Sequence, residues 1–135
     1  MDNYFYNQLP LASSTIVYCD GEKSNFNRED VKFNEIISNF LKLLENSYEM
    51  PAFSVALNEE TLQQLSSSLW IEFCFDKTFY HSDMPYTKLL IKVEKDASGF
   101  NLIRYHGAYE GRCYYINLTS SNMTSFYDYL LTLVK

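Results

Sequence analysis

The segment Leu69-Trp-Ile-Glu-Phe-Cys-Phe-Asp76 decides the fold of this chain. Side chains of a β-strand alternate between its two faces, so this segment divides into two sets of four. The apolar set on one face is Leu69, Ile71, Phe73 and Phe75. The mixed set on the other face is Trp70, Glu72, Cys74 and Asp76. The alternation predicts a strand with one face in a hydrophobic core.

Three later segments extend this pattern: Tyr86–Glu94, Phe100–Tyr105 and Arg112–Leu118. The apolar residues that alternate in the first and third of them are Leu89, Ile91 and Val93, then Tyr114, Ile116 and Leu118. Short loops that contain glycine, 96–99 and 107–111, separate the segments and are typical of hairpin connections. Residues 69–118 therefore predict a four-strand antiparallel meander with one apolar face. Its opposite face would be mixed, with either Ile103 and Tyr105 or Arg104 and His106 contributed by the third strand.

Helical spacing appears before and after the meander. Asn27 is the predicted N-cap of a helix that Pro51 ends, and its apolar residues recur every three or four positions. A short helix is expected from Asn58 to about Leu65, and a final helix from Ser120 or Ser121. The buried stripe expected in the final helix is Met123, Phe126, Tyr127, Leu130 and Val134.

Two further strands are expected, at Ser14–Cys19 before an Asp20-Gly21 turn and at 52–57. The fold class predicted is α+β: an antiparallel four-strand meander with one or two extra N-terminal strands, packed on one face by two longer helices, plus one short helix. The length of 135 residues predicts a single domain over 1–135. We expect residues 1–8 to be frayed.

The formal charge of −6 is concentrated in one part of the sequence. Residues 1–60 hold ten acidic and four basic residues, whereas residues 61–135 hold seven of each. This balance disfavours direct binding to nucleic acid, which needs clustered Lys and Arg, and suits docking on a basic protein surface. With no secretion-signal pattern and no apolar run of about 20 residues, we expect a cytoplasmic protein that does not contact a membrane.

Motifs for chemistry are weak throughout the sequence. The four glycines match neither a phosphate-binding loop nor a dinucleotide fingerprint, and the three cysteines, expected to be reduced, have no metal-ligand spacing. Glu72 and Asp76 lie on one strand face about 13 Å apart, too far for paired acid–base catalysis. We expect Lys88 and Lys92 to neutralise such carboxylates in cross-strand salt bridges. No catalytic residue, cofactor or metal ion is predicted.

Exposed aromatic residues provide the main indication of a binding role. We expect a long loop at Lys77–Tyr86 and a second loop at 105–112, which would lie at the same end of the meander. Aromatic side chains on loops commonly anchor partners, although Phe79 and Met84 could instead pack beneath the sheet edge. The predicted partner-binding residues are Trp70, Tyr80, His81, Tyr86, Tyr105, His106, Tyr109 and Arg112.

Two functions from different classes remain open. The first is a small acidic interaction protein, inhibitor-like or immunity-like, that binds a protein target through the aromatic and charged sheet face and the loops. The second is a small-molecule-binding domain or enzyme whose pocket lies between the mixed sheet face and the first helix or N-terminal segment. Trp70, Arg104, Tyr105 and Tyr115 would line that pocket. A homodimer formed through an edge strand is a third arrangement that the sequence allows.

Overall fold

The computed structural model of the protein describes residues 4–51, 54–119 and 121–134. Within these residues the chain forms four α-helices and nine β-strands. The helices are α1 (Tyr4–Gln8), α2 (Val31–Leu44), α3 (Asn58–Gln64) and α4 (Thr124–Val134). The strands are β1 (Ser14–Cys19), β2 (Glu22–Asn27), β3 (Tyr48–Met50), β4 (Val55–Ala56), β5 (Leu69–His81), β6 (Met84–Lys92), β7 (Gly99–Tyr105), β8 (Gly111–Arg112) and β9 (Tyr114–Asn117).

Seven of the strands form one antiparallel sheet in the order β2-β1-β5-β6-β7-β9-β3. The prediction of an α+β fold with a large antiparallel sheet is confirmed, and the meander runs through β5, β6, β7 and β9. Strands β4 and β8 pair separately as a small second sheet. The sheet is therefore wider than the sequence predicted, because β2 and β3 extend it at its two edges.

The predicted apolar face of the meander is the main hydrophobic core. We call it the first face: Leu69, Ile71, Phe73, Leu89, Ile91 and Ile116 are each at most 3% exposed. Helices α2 and α4 pack on this face, and Phe40 of α2 lies 5.2 Å from Phe73 and 5.1 Å from Phe126 between ring centroids. In the predicted stripe of α4, Met123, Phe126 and Leu130 are buried, whereas Tyr127 and Val134 are half-buried.

The N-terminal segment also packs on the first face. Residues 1–3 lie outside the described part, but Tyr4–Gln8 is helical and the Phe5 side chain is fully buried. The Tyr4 ring stacks on the His81 ring at 3.9 Å between centroids, and the Tyr4 and Tyr86 hydroxyls are 2.8 Å apart. Helix α1 therefore belongs to the main core together with α2 and α4.

The boundaries predicted for the first long helix were wrong. Asp30, not Asn27, is the N-cap, and its carboxylate accepts a hydrogen bond from the Lys32 amide at 2.8 Å. The helix ends at Leu44, well before Pro51, because the chain turns at Asn46 with a φ of +68°. Between Asn46 and Pro51, residues Tyr48–Met50 form the edge strand β3.

Edge strand β2 was not predicted because it has no period-two apolar pattern. Its sequence Glu-Lys-Ser-Asn-Phe-Asn places only Phe26 in the core, and its other side chains are exposed or half-buried. The strand predicted at 52–57 is present only as Val55–Ala56, and residues 52 and 53 lie outside the described residues. The exposed polar edge that β2 gives the main sheet is common in proteins and resists pairing with a further strand.

The long loop predicted at Lys77–Tyr86 was also wrong. Strands β5 and β6 continue to His81 and from Met84, so a two-residue turn connects them. Ser82 and Asp83 have φ values of +53° and +63°, which fit the type I′ turn that suits the twist of a hairpin. A register irregularity between Cys74 and Phe79 precedes this hairpin end.

The second face of the sheet is covered in part by α3 and by the loop at 106–110. A smaller hydrophobic cluster forms there from Tyr18, Leu65, Trp70, Leu90 and Tyr109, and Ile103 and Tyr105 pack against it. The choice left open for the third meander strand is thus settled in favour of Ile103 and Tyr105. No described helix is both long and apolar enough to cross a lipid bilayer.

Candidate functional site

Glu72 lies at the centre of the second face and has no exposed surface. Its two carboxylate oxygens accept hydrogen bonds from the Tyr18 hydroxyl at 3.0 Å and from the Tyr109 hydroxyl at 2.5 Å. A buried charge is tolerated only where hydrogen bonds replace its water shell. The predicted salt bridge from Glu72 to Lys88 or Lys92 is wrong. Among the described residues Lys92 pairs with Glu94 at 3.6 Å, and Lys88 forms no ion pair.

The register of β1 and β5 and the attachment of the loop at 106–110 to α3 explain this arrangement. Tyr18 on β1 stands opposite Trp70 on β5, so it is the diagonal neighbour of Glu72 and can reach the carboxylate along the same face. Tyr109 comes from the loop, which is attached to α3 because the Tyr109 amide donates to Asn58 Oδ1 at 2.8 Å. Helix α3 and the loop thus act as one cover over Glu72.

The environment of the two tyrosines keeps them protonated. Burial, and then the neighbouring Glu72 carboxylate, raise the pKa of both Tyr18 and Tyr109 above the ordinary tyrosine value. Both hydroxyls are therefore hydrogen-bond donors throughout the physiological pH range. The two hydroxyl groups hold the Glu72 carboxylate, and the two rings form part of the floor of the groove described next.

A groove of about 450 Å³ lies directly above this cluster. We call it the second-face groove, and the residues that define it are Tyr18, Lys23, Leu62, Leu65, Lys88, Tyr105 and Tyr109. Leu62 of α3 forms part of one wall and is 51% exposed. The groove is open to solvent, so it can accept a segment that passes through it.

Two lysines give this groove a positive rim. Lys23 Nζ lies 5.9 Å from the centroid of the Tyr18 ring, and Lys88 Nζ lies 4.8 Å from that of Tyr105. Neither ammonium group forms an ion pair with any residue in the described ranges. Among the residues that line the groove there is no carboxylate, and Glu72 lies beneath its floor. The rim therefore has the opposite sign to the whole chain.

A second depression of about 220 Å³ continues the same face. Its lining includes Gln64, Trp70, Lys92, Ile103 and Tyr115. Trp70 is only 1% exposed, and its indole Nε1 donates to the Ser67 carbonyl at 2.9 Å, which fixes the chain that follows α3. The uncovered part of the second face is thus an extended surface with two depressions.

The eight predicted partner-binding residues divide between different parts of the molecule. Trp70, Tyr105 and Tyr109 come together on the second face. Tyr80, His81 and Tyr86 lie on the β5–β6 hairpin, His106 is exposed in the loop, and Arg112 is exposed in β8. Tyr86 is fully buried, whereas Tyr80 is 67% exposed.

The two loops expected to lie together are packed against opposite faces. The hairpin turn is held on the first face, because the Tyr114 hydroxyl donates to the His81 carbonyl at 2.9 Å and lies 3.1 Å from the Met84 carbonyl. Phe79 and Met84 pack against the main core, as the alternative reading of this segment had it. The His81 ring also lies 2.7 Å from a carboxylate oxygen of Glu49.

Sequence reasoning did not identify Tyr18, Lys23 or Leu62. Tyr18 and Lys23 belong to the first two strands, whose position beside β5 is a long-range pairing that no local pattern encodes. Leu62 lies in a seven-residue helix whose most notable sequence feature is the acidic pair Glu59 and Glu60 in its first turn. Glu72 carried the best available signal, because a carboxylate between Trp70 and Cys74 on one strand face is unusual.

The described residues contain no group of three or more His, Cys, Asp or Glu side chains that could hold a metal ion. All three cysteines are free, and burial raises the pKa of the Cys74 and Cys113 thiols, so these two are predominantly protonated at neutral pH. The pocket expected between the mixed face and the first helix is wrong in its position, because α2 and α1 pack on the first face.

Comparison with protein-family models, with curated proteins and with solved structures finds no match to this chain.

Proposed function

We propose that the protein is a non-enzymatic interaction protein that binds a protein target through the second face of its sheet, acting in the cytoplasm as an inhibitor or immunity-like factor. The observation that carries this proposal is the second-face groove, where the apolar side chain of Leu62 and two unpaired lysines stand on a sheet face that the described chain leaves open.

The composition of this surface supports the proposal. Tyrosine is enriched in protein interfaces because one ring combines apolar area with a polar hydroxyl group. Tyr18 and Tyr109 are buried and fixed by Glu72, so the floor of the groove is already ordered and little side-chain entropy would be lost there on binding. The surface is therefore preorganised for binding, and its apolar centre has a charged rim.

The alternative, a small-molecule-binding domain or enzyme, has less support from the geometry. Small-molecule sites bury most of the ligand surface, whereas this groove is open. The carboxylate below it could serve as a general base only if it could touch a ligand, and Glu72 has no exposed surface. Acid–base chemistry at Glu72 would require Tyr109 to leave its hydrogen bond.

Site-specific photo-crosslinking tests the proposed function. A benzophenone amino acid replaces Leu62 in one variant and Val31, which is 68% exposed at the start of α2, in a matched control. Both are irradiated in an extract of the source cells. We expect a discrete protein adduct from position 62 only, and we expect the Lys23→Glu/Lys88→Glu double variant to reduce it. Equal adducts from both positions, or none from position 62, would contradict the proposal.

A further inference from the structure

The second-face groove is lined by positive charges, whereas the net charge of the whole chain is −6. The protein carries 17 acidic and 11 basic residues, yet the charged side chains that line this groove are Lys23 and Lys88. Each ammonium group stands over a tyrosine ring rather than beside a carboxylate, at 5.9 Å from Tyr18 and 4.8 Å from Tyr105. Neither ammonium group forms an ion pair with a described carboxylate, so both can pair with an incoming anion.

The groove also has an apolar part, and the strands that carry its two lysines, β2 and β6, lie on either side of β1 and β5. Leu62 lies in α3 and Leu65 directly follows that helix, and the Tyr105 and Tyr109 rings meet edge to face at 4.8 Å between centroids. This arrangement matches a segment that has an apolar side chain at its centre and negative charges on either side of it. A polyanion without apolar groups would leave Leu62 uncovered.

We infer that the second-face groove binds an acidic peptide segment of the protein target, with one apolar side chain of that segment against Leu62 and Tyr105 and flanking carboxylates paired with Lys23 and Lys88. This inference rests on the proposed function and specifies the chemistry of the partner. Nucleic acid is the weaker match, because a chain of net charge −6 with two lysines at the site gives little phosphate neutralisation. The earlier expectation of a basic target surface is replaced for this face by an acidic one.

Peptide display on the full-length protein tests the inference. A random dodecapeptide library is selected against the immobilised wild type in low salt, and the enriched peptides are synthesised and measured by fluorescence anisotropy. We expect enriched peptides to contain at least two Asp or Glu residues around an apolar residue. Their affinity should fall at least tenfold in Lys23→Glu/Lys88→Glu and also fall in Lys88→Gln, which removes the charge without reversing it.

The matched control is Lys32→Glu, which reverses an exposed charge in the first turn of α2, where a negative charge suits the helix dipole. It should leave the affinity within twofold of wild type. Thermal melting of every variant is recorded, so that loss of binding is compared only between folded proteins. A uridine 12-mer is measured in parallel as the comparison anion.

Each outcome decides the inference. The selection could instead enrich basic or purely apolar peptides whose binding is lost in Leu62→Arg. That result would overturn the acidic assignment and leave the proposed function in place. Two other results would show that the groove is not a peptide site. One is that no peptide is enriched on the wild type relative to the double variant, and the other is that the groove variants do not change peptide binding. Tighter binding of the uridine 12-mer than of any peptide, or a dimer in sedimentation that Lys88→Glu dissociates, would assign the groove to another occupant.

Discussion

At the scale of single residues, the buried carboxylate of Glu72 and its two tyrosine donors are the most consequential interaction on the second face. Hydrogen bonds to a charged group contribute about 1.5–3 kcal/mol each, and more is lost when one donor is removed and the charge stays buried. The cluster stabilises the cover made by α3 and the loop, since the Tyr109 hydroxyl joins that loop to β5.

We predict that Tyr109→Phe lowers the free energy of unfolding by about 1.5–3 kcal/mol, because one oxygen of Glu72 loses its donor without gaining water. In a Glu72→Gln background the same change should cost about 1 kcal/mol less, because the group left without a donor is then uncharged. Urea denaturation of the four proteins gives this coupling. Tyr80→Phe, at a ring that is 67% exposed, is the control and should change stability by less than about 0.5 kcal/mol. Equal costs of Tyr109→Phe in both backgrounds would contradict the role of the charge.

The buried tyrosines of both faces predict a loss of stability in alkali. Burial is the largest cause that raises the pKa of Tyr18, Tyr86, Tyr109 and Tyr114 in the folded protein. An unfolded tyrosine titrates near pH ~10, so above that pH the unfolded chain binds fewer protons than the native one and stability falls as pH rises. Each such tyrosine contributes a slope of about 1.4 kcal/mol per pH unit, and below pH ~10 its contribution is fully present.

Comparison of wild type with Tyr109→Phe isolates one of these groups. Urea denaturation at pH 9, 10 and 11 should give a slope in the variant that is less steep by about 1.4 kcal/mol per pH unit above pH ~10. A variant that loses stability with pH as steeply as wild type would show that Tyr109 does not remain protonated in the folded state.

At the scale of secondary-structure elements, the β5–β6 hairpin has a turn whose residues do not suit its backbone. Both Ser82 and Asp83 have positive φ, a conformation that Asn and Gly adopt more easily. We predict that Ser82→Asn/Asp83→Gly raises the free energy of unfolding by about 1 kcal/mol. Thermal and chemical denaturation measure the change. Destabilisation would contradict the two-residue turn and would favour the longer loop that the sequence alone predicted.

Local patterns predicted those elements whose stability comes from burial of one apolar face. The alternation in β5, β6 and β9 and the apolar stripe in α4 both arise because these elements contact the first-face core. Their spacing can therefore be recognised in the sequence alone. Edge strands β2 and β3 contribute few core residues, and their pairing is decided by neighbours distant in sequence. The hairpin tip was misread because Ser82 and Asp83 lack the Asn-Gly signature, although the flanking strands continue beyond Phe75.

The candidate site was less predictable than the fold for a related reason. Trp70, Tyr105 and Tyr109 were identified from their aromatic character, and the structure brings them together on the second face. Lys23 of β2 and Leu62 of α3 line the same groove, although β2 is distant from α3 and β5 in the sequence. Only the strand order β2-β1-β5-β6 places the two lysine-bearing strands on either side of Glu72.

At the scale of the whole molecule, the two faces of the sheet are covered to different extents by the described residues. The first face is covered by α1, α2 and α4 and contains the larger hydrophobic cluster. The second face is covered only in part among the described residues, and its open portion has a positive rim in a protein of net charge −6. This asymmetry is the basis of our proposal that the second face binds a partner.

Hydroxyl-radical footprinting, read by mass spectrometry, tests this assignment most directly. The full-length protein is labelled alone and in the complex that is recovered with it from source cells. We predict that labelling of Leu62 and Tyr105 falls at least threefold in the complex, while labelling of Tyr80 and Val31, both exposed on other parts of the surface, is unchanged. Protection of Tyr80 or Val31 with Leu62 and Tyr105 still fully labelled would contradict the account.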